Sequence, residues 1–162
     1  MKILVSRCLL GEACRYDGRA AVSIRRKLLD AGFSESDIVP VCPETDAGLK
    51  TPRLPCEIVG GTAADVLAGR ARVVDLEGND RSAAYTAGAS IALSAARREG
   101  ALYALLKARS PSCGSGTVYD GTFSGRLIPG RGVAAEALRA EGISVFSEEE
   151  LGDFLRIAAG HV

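Results

Sequence analysis

Cys8, Cys42 and Cys113 each follow an apolar run that reads as a buried strand, and each opens a loop rich in glycine, proline and arginine: CLLGEACRYDGR, CPETDAGLKTPRLPCEIVGG and ARSPSCGSGTVYDGTFSG. In an open α/β sheet the ligand crevice lies beyond the carboxyl ends of the strands, so thiols placed this way converge at one sheet edge. Thiolates are soft ligands, and the chemistry this implies is a metal or iron-sulfur site. Three of them suit a 4Fe-4S cluster with one iron left unligated, a Lewis-acid position that prefers a sulfur donor. A zinc finger or ribbon is excluded because no Cys-x-x-Cys pair occurs, and a Cys-His nucleophile because the single histidine, His161, sits next to the terminus. The competing reading is a non-catalytic module in which Cys14 closes a four-thiolate site.

Other groups cluster around these thiols. Glu44 stands two residues after Cys42, so on an extended backbone its carboxylate leaves the chain on the same side as the thiol and could bind and protonate a substrate. The run Lys107-Ala108-Arg109-Ser110-Pro111-Ser112-Cys113-Gly114-Ser115-Gly116 has the composition of an anion-binding nest, with Gly114 and Gly116 giving backbone access. It is not a P-loop, because GxxxxGK[ST] is absent. Arg15, Arg53, Lys107 and Arg109 are candidates, by charge and loop position, to hold a substrate carbonyl or phosphate.

The elements that must position these groups alternate. Lys2 to Ser6, Asp37 to Val41 and Ala101 to Lys107 read as buried strands, Ala71 to Asp75 as a strand or edge segment, and Ile143 to Phe146 as a last short strand. Helices are expected at Ala21 to Ala31, at Arg81 to Arg98 with Gly100 as the terminating residue, at Gly132 to Ala140, and at Ser147 to Ala159 with SEEE as a capping-box start. Three prolines between residues 42 and 61 argue for extended backbone there. A connector of that length exceeds the roughly 12 to 15 residues beyond which loops are usually functional. Strands alternating with helices predict an α/β fold: a mostly parallel sheet with helices on both faces, a Rossmann-like three-layer sandwich, with residues 1 to 162 as one domain.

Composition narrows the function classes. With 47% hydrophobic and 25% charged residues among 162, the chain can bury a real core, and 20 Lys plus Arg balance 20 Asp plus Glu. No net field points to duplex nucleic acid or a membrane surface, which leaves small-molecule partners. The amino terminus is too short an apolar run for a signal peptide, and no segment nears the roughly 18 apolar residues of a membrane span, so a cytoplasmic protein is expected. Five cysteines in a reducing compartment are thiols or ligands before they are disulfides.

The motifs CLLGxxCRYDG, VCPExxxGLxTPRxPxEIVGG and LKxRSPSCGSGxxYDGTF, in that order over nearly the whole chain, resemble a group long catalogued as a domain of unknown function, some of whose members are thiouracil desulfurases. The resemblance implies a 4Fe-4S cluster held by Cys8, Cys42 and Cys113. Its open fourth iron would bind the thiocarbonyl sulfur of a thiolated pyrimidine such as 2-thiouracil, 4-thiouracil or a 4-thiouridine nucleotide. Desulfuration to the oxo form with release of sulfide would then be hydrolytic and without net redox change. By the same resemblance Glu44 would handle protons and a serine of the SPSC motif would assist, Ser110 ahead of Ser112. An open-iron enzyme acting on another small sulfur compound is the further alternative. Cys14 would be a replacement ligand or a spare thiol, and Cys56 a packing residue. The chain ends soon after the shared region, so recognition of folded tRNA by an added domain is not expected.

Overall fold

Each apolar run of the sequence becomes one short strand, and the burial of successive residues shows why. In the computed structural model, which describes residues 1–160 and leaves His161 outside, Ile3, Leu4 and Val5 are all fully buried. Ile3 and Val5 pack into one core and Leu4 into another. Tyr103 and Leu105 likewise face the first core, and Ala104 and Leu106 the second. A strand buried on both faces needs no polar alternation, which is the pattern of parallel sheets.

The strands are β1 (Ile3–Ser6), β2 (Ile38–Val41), β3 (Cys56–Val59), β4 (Arg72–Asp75), β5 (Tyr103–Leu106), β6 (Thr117–Tyr119), β7 (Leu127–Pro129) and β8 (Ser144–Ser147). The helices are α1 (Arg25–Asp30), α2 (Pro43–Asp46), α3 (Ala63–Leu67), α4 (Ser82–Glu99), α5 (Val133–Ala140) and α6 (Leu151–Ala158). A four-stranded parallel sheet has the order β2-β1-β5-β8, with Ile3 opposite both Ile38 and Tyr103, and Tyr103 opposite Ser144. On one face α3, α4 and α5 bury Val66, Ala89, Ala92, Ala96, Ala134 and Leu138. On the other, α1 and α6 bury Leu28 and Phe154, whose ring stacks on Phe33 at 5.8 Å. The fold is therefore the expected three-layer α/β arrangement.

Several local expectations are corrected. Residues 42 to 61 are extended only in part: Pro43 occupies the first turn of α2, where a missing N–H costs nothing, while CEIV is extended as β3. β3 and β4 make a separate antiparallel pair, with Cys56 opposite Asp75, so Ala71 to Asp75 is not an edge of the main sheet. The segment after β5 is not one long loop either, since β6 and β7 pair in it as a hairpin. The helix expected from Ala21 begins only at Arg25, because the N–H groups of Ala21 and Ile24 donate to the Cys8 and Leu9 carbonyls. The capping box of Ser147 and Glu150 is present, but it starts a 3-10 turn that leads into α6. The capping box of Thr62 and Asp65 that starts α3 was legible and unread.

One small residue decides how α2 is seated. A Cβ at Gly88 of α4 would lie 2.2 Å from the Pro43 carbonyl oxygen, so α2 rests directly on the α4 backbone. Gly88→Ala gains helix propensity, worth about 1 kcal/mol, yet overpacking of this kind costs about 1–3 kcal/mol. The expected result is a lower melting temperature together with reduced activity, because the displaced helix carries Glu44 and follows Cys42.

Candidate active site

Where the parallel strands end, the chain turns three times. After β1, Arg7–Leu10 forms a 3-10 turn that buries Cys8. After β2, Cys42 caps the amino end of α2, its N–H donating to Asp46 Oδ2 at 3.0 Å. Arg7 links these two segments, donating to Thr45 Oγ1 at 2.9 Å and pairing with Asp46.

The third turn, Ser110 to Cys113, begins four residues past β5. Ser110 Oγ accepts the N–H groups of Ser112 at 3.2 Å and Cys113 at 3.1 Å. The first N–H groups of α5, from Val133 and Ala134, donate to the carbonyls of Pro111 and Ser112. Gly132 makes this docking possible, since a Cβ there would lie 2.4 Å from the Ser112 carbonyl carbon.

These turns surround a cavity of about 670 Å³. All five cysteines line it, together with Glu44, Arg15, Arg53, Lys107, Arg109, Ser110 and Ser112. Gly114 and Gly116 do not: the Gly114 N–H is taken by the Ser110 carbonyl, and its carbonyl by Gly132 N–H, so the nest expected there is closed by the turn itself.

The cysteines are all free thiols. Interaction with Cys14, followed by burial, raises Cys42 above the usual thiol range. Burial pushes Cys113 up to about 12. They stay protonated until a metal takes the proton's place. Cys14 is placed against both Cys8 and Cys42. Among the described residues, no three His, Cys, Asp or Glu side chains close around a single ion position. A lone tetrahedral zinc holds its sulfurs about 3.8 Å apart, the edge of a tetrahedron with 2.3 Å arms. Five thiols lining one cavity, with no histidine among the described residues of its lining, fit an iron-sulfur group. Cys8, Cys42 and Cys113 reach this cavity from one turn each, and Cys14 and Cys56 line it with them.

Glu44 is the hub of the polar side. It is presented by a helix and not by extended backbone as anticipated, yet it still reaches the cavity. Its Oε1 accepts from Arg53 Nε and from the Tyr85 hydroxyl, both at 2.9 Å, and its Oε2 accepts from Ser112 Oγ at 2.7 Å. Ser110 Oγ lies 3.0 Å from Ser112 Oγ. A hydroxyl has one proton, and that of Ser112 goes to the carboxylate, so Ser110 donates to Ser112. Ser112 is therefore the serine in contact with Glu44, and Ser110 stands one step behind it while holding the turn.

Tyr85, 1% exposed on α4, was missed. The signal was a single large polar ring in the alanine-rich run SAAYTAGASIALSAARR. The cations divide. Arg53 also donates to the Cys14 carbonyl at 3.0 Å and to the Lys50 carbonyl at 3.1 Å, so it braces the site as well as pairing Glu44. Lys107 pairs with Glu148, whose other oxygen accepts the Ala108 N–H at 2.7 Å. Arg109 pairs with Glu149 and Arg15 with Asp17, both nearer solvent.

The sequence profile of the family described as 2-thiouracil desulfurase matches residues 3–150. The uncharacterized protein YbbK of Bacillus subtilis (strain 168) is 49% identical over 154 residues, spanning 94% of this chain and 99% of that relative. A solved structure described as a [4Fe-4S]-dependent thiouracil desulfidase, TudS, superposes with a TM-score of 0.84 at 41% identity, covering 99% of each chain.

Proposed function

The chain belongs to the 2-thiouracil desulfurase family, and on that premise we propose that it converts a thiolated pyrimidine to its oxo form by hydrolysis, using a 4Fe-4S cluster held by Cys8, Cys42 and Cys113. The observation that carries this reading is the shared cavity: thiols from three strand-end turns face the same space as a carboxylate already bonded to a serine, a tyrosine and an arginine. The likeness to a [4Fe-4S]-dependent thiouracil desulfidase supports the cofactor and the substrate class.

When bound, the cluster supplies a Lewis acid at its one iron without a protein ligand, which draws electron density from the C=S bond through sulfur. Everything else falls to the chain. Glu44 Oε2 takes a proton from the attacking water, and Oε1 is held in place by Arg53 and Tyr85 so that the carboxylate does not rotate away. The bond Ser112 makes to Oε2 is exchanged for that water or for a ring N–H, and the Ser110 hydroxyl behind it can follow the proton. The balance is C=S plus water giving C=O plus hydrogen sulfide, with no change in oxidation state. We assign Arg15 and Arg109, whose ion pairs with Asp17 and Glu149 are the more exposed ones, to a phosphate or ring carbonyl; Arg53 and Lys107 are held by the more buried Glu44 and Glu148.

The test is direct. Protein reconstituted anaerobically with iron and sulfide should show broad visible absorption, turn 2-thiouracil into uracil, and release one sulfide per uracil. Reconstituted protein that stays colourless, or that is coloured but releases no sulfide from 2-thiouracil or 4-thiouracil, would overturn the reading.

A further inference from the structure

Two Tyr-Asp-Gly triplets occur in the chain, Tyr16-Asp17-Gly18 and Tyr119-Asp120-Gly121, and the chemistry above uses neither. The structure builds both the same way. Asp17 Oδ1 accepts the Arg19 N–H at 3.1 Å, and Asp120 Oδ1 accepts the Thr122 N–H at 2.9 Å. Each triplet ends in a glycine at positive φ, 76° at Gly18 and 91° at Gly121. Side chains that bond the backbone two residues on make tight turns, and here both turns put their tyrosine on the cavity wall. Tyr16 is 43% exposed and Tyr119 36%, so both rings border the opening and are not core residues.

The second turn is held more firmly than a hairpin tip requires. Glu57 of β3, 7% exposed, spends one carboxylate oxygen on two backbone donors, Gly121 N–H at 2.9 Å and Phe123 N–H at 3.2 Å. At the second of those donors, Phe123, the chain takes φ +57°, a left-handed conformation that a bulky residue rarely adopts. Gly121 has no room for a side chain, as a Cβ would lie 2.6 Å from the Ile58 carbonyl oxygen. A buried carboxylate, a side-chain-free contact and a strained aromatic thus converge on Phe123, which lines the same cavity as the thiols and Glu44. Strain of this kind persists where its surroundings over-determine it, and it collects at ligand-holding positions.

We propose that Phe123, which lines the cavity together with Tyr16 and Tyr119, is a specificity-determining residue that stacks on the flat face of a six-membered heteroaromatic ring and so presents its exocyclic sulfur to the thiol side of the cavity. The proposal rests on the desulfuration reading and adds to it what the polar groups cannot supply, namely selection for planarity. Stacking acts on the ring and not on its sulfur, so it should hold uracil as well as 2-thiouracil.

The experiment compares wild-type holoenzyme with Phe123→Leu, which keeps apolar bulk and loses the π face, and Phe123→Tyr, which keeps both. The measurements are kcat and KM for 2-thiouracil, and calorimetric titration of the holoenzyme with uracil. Phe123→Leu should raise KM and the uracil dissociation constant together, about fivefold or more. Its kcat should stay within about threefold and its cluster absorption should be unchanged, and Phe123→Tyr should restore both affinities. Unchanged affinities in Phe123→Leu, or weakening that Phe123→Tyr shares in full, would overturn the assignment. Failure of the desulfuration reading looks different: wild-type holoenzyme would bind uracil and release no sulfide.

Discussion

Cys113→Ser, reconstituted anaerobically with iron and sulfide, is expected to remain colourless and to release no measurable sulfide from 2-thiouracil. Serine keeps the size and the hydrogen bonds of the turn, but an alcohol does not replace a soft thiolate on iron. Cys8→Ser and Cys42→Ser should behave the same way, since each removes the single ligand that one strand-end turn provides. Cys14→Ser and Cys56→Ser should keep the visible absorption and most of the activity. Cys14 is the informative control, because it is placed against both Cys8 and Cys42. Loss of iron in Cys14→Ser as well as in Cys8→Ser, Cys42→Ser and Cys113→Ser would instead support the four-thiolate module without a vacant iron. Iron and sulfide content per chain, beside the electronic spectrum, decides between them.

Glu44→Gln is expected to do the opposite: full cluster absorption and turnover lower by about 10²- to 10⁴-fold, the range for removal of a positioned acid or base. The amide still accepts from Tyr85 and Arg53 but cannot take a proton from water. The Glu44 and Arg53 side chains are only 12% and 11% exposed, so the substitution also leaves a buried guanidinium without its counter-charge. A fall in thermal stability should accompany the kinetic loss, and single-turnover assays at a temperature well below melting separate the two. Activity within about tenfold of wild type would remove Glu44 from proton transfer.

Much of this architecture was readable because parallel strands and cysteine chemistry both leave strong local traces. Continuous apolar runs such as ILVS and YALL could only be strands buried on both faces, and Gly100, at φ 67°, ends α4 where expected. What escaped depended on contacts between distant residues. Pro43 looks like a helix breaker until one sees that it is the first residue of a helix, and Glu44 owes its orientation to that turn. Tyr85 reaches Glu44 only because α2 lies on Gly88. The β6–β7 hairpin was hidden in a run of Gly, Ser and Thr whose pairing is fixed from outside, by Glu57 on another strand. The choice between Ser110 and Ser112 could not be made from composition, since the two are alike in the motif and only distance distinguishes the one touching the acid.

The strand order β2-β1-β5-β8 places β1 and β5 side by side although Cys8 and Cys113 are 105 positions apart. On the proposed ligation, a nascent polypeptide that has left the ribosome only as far as α4 holds two of the three thiols, and β5 and β8 are still missing from its sheet. That ligation would confine completion of the cluster to a time after most of the chain has been made, and a product truncated before Cys113 would lack one of its ligands.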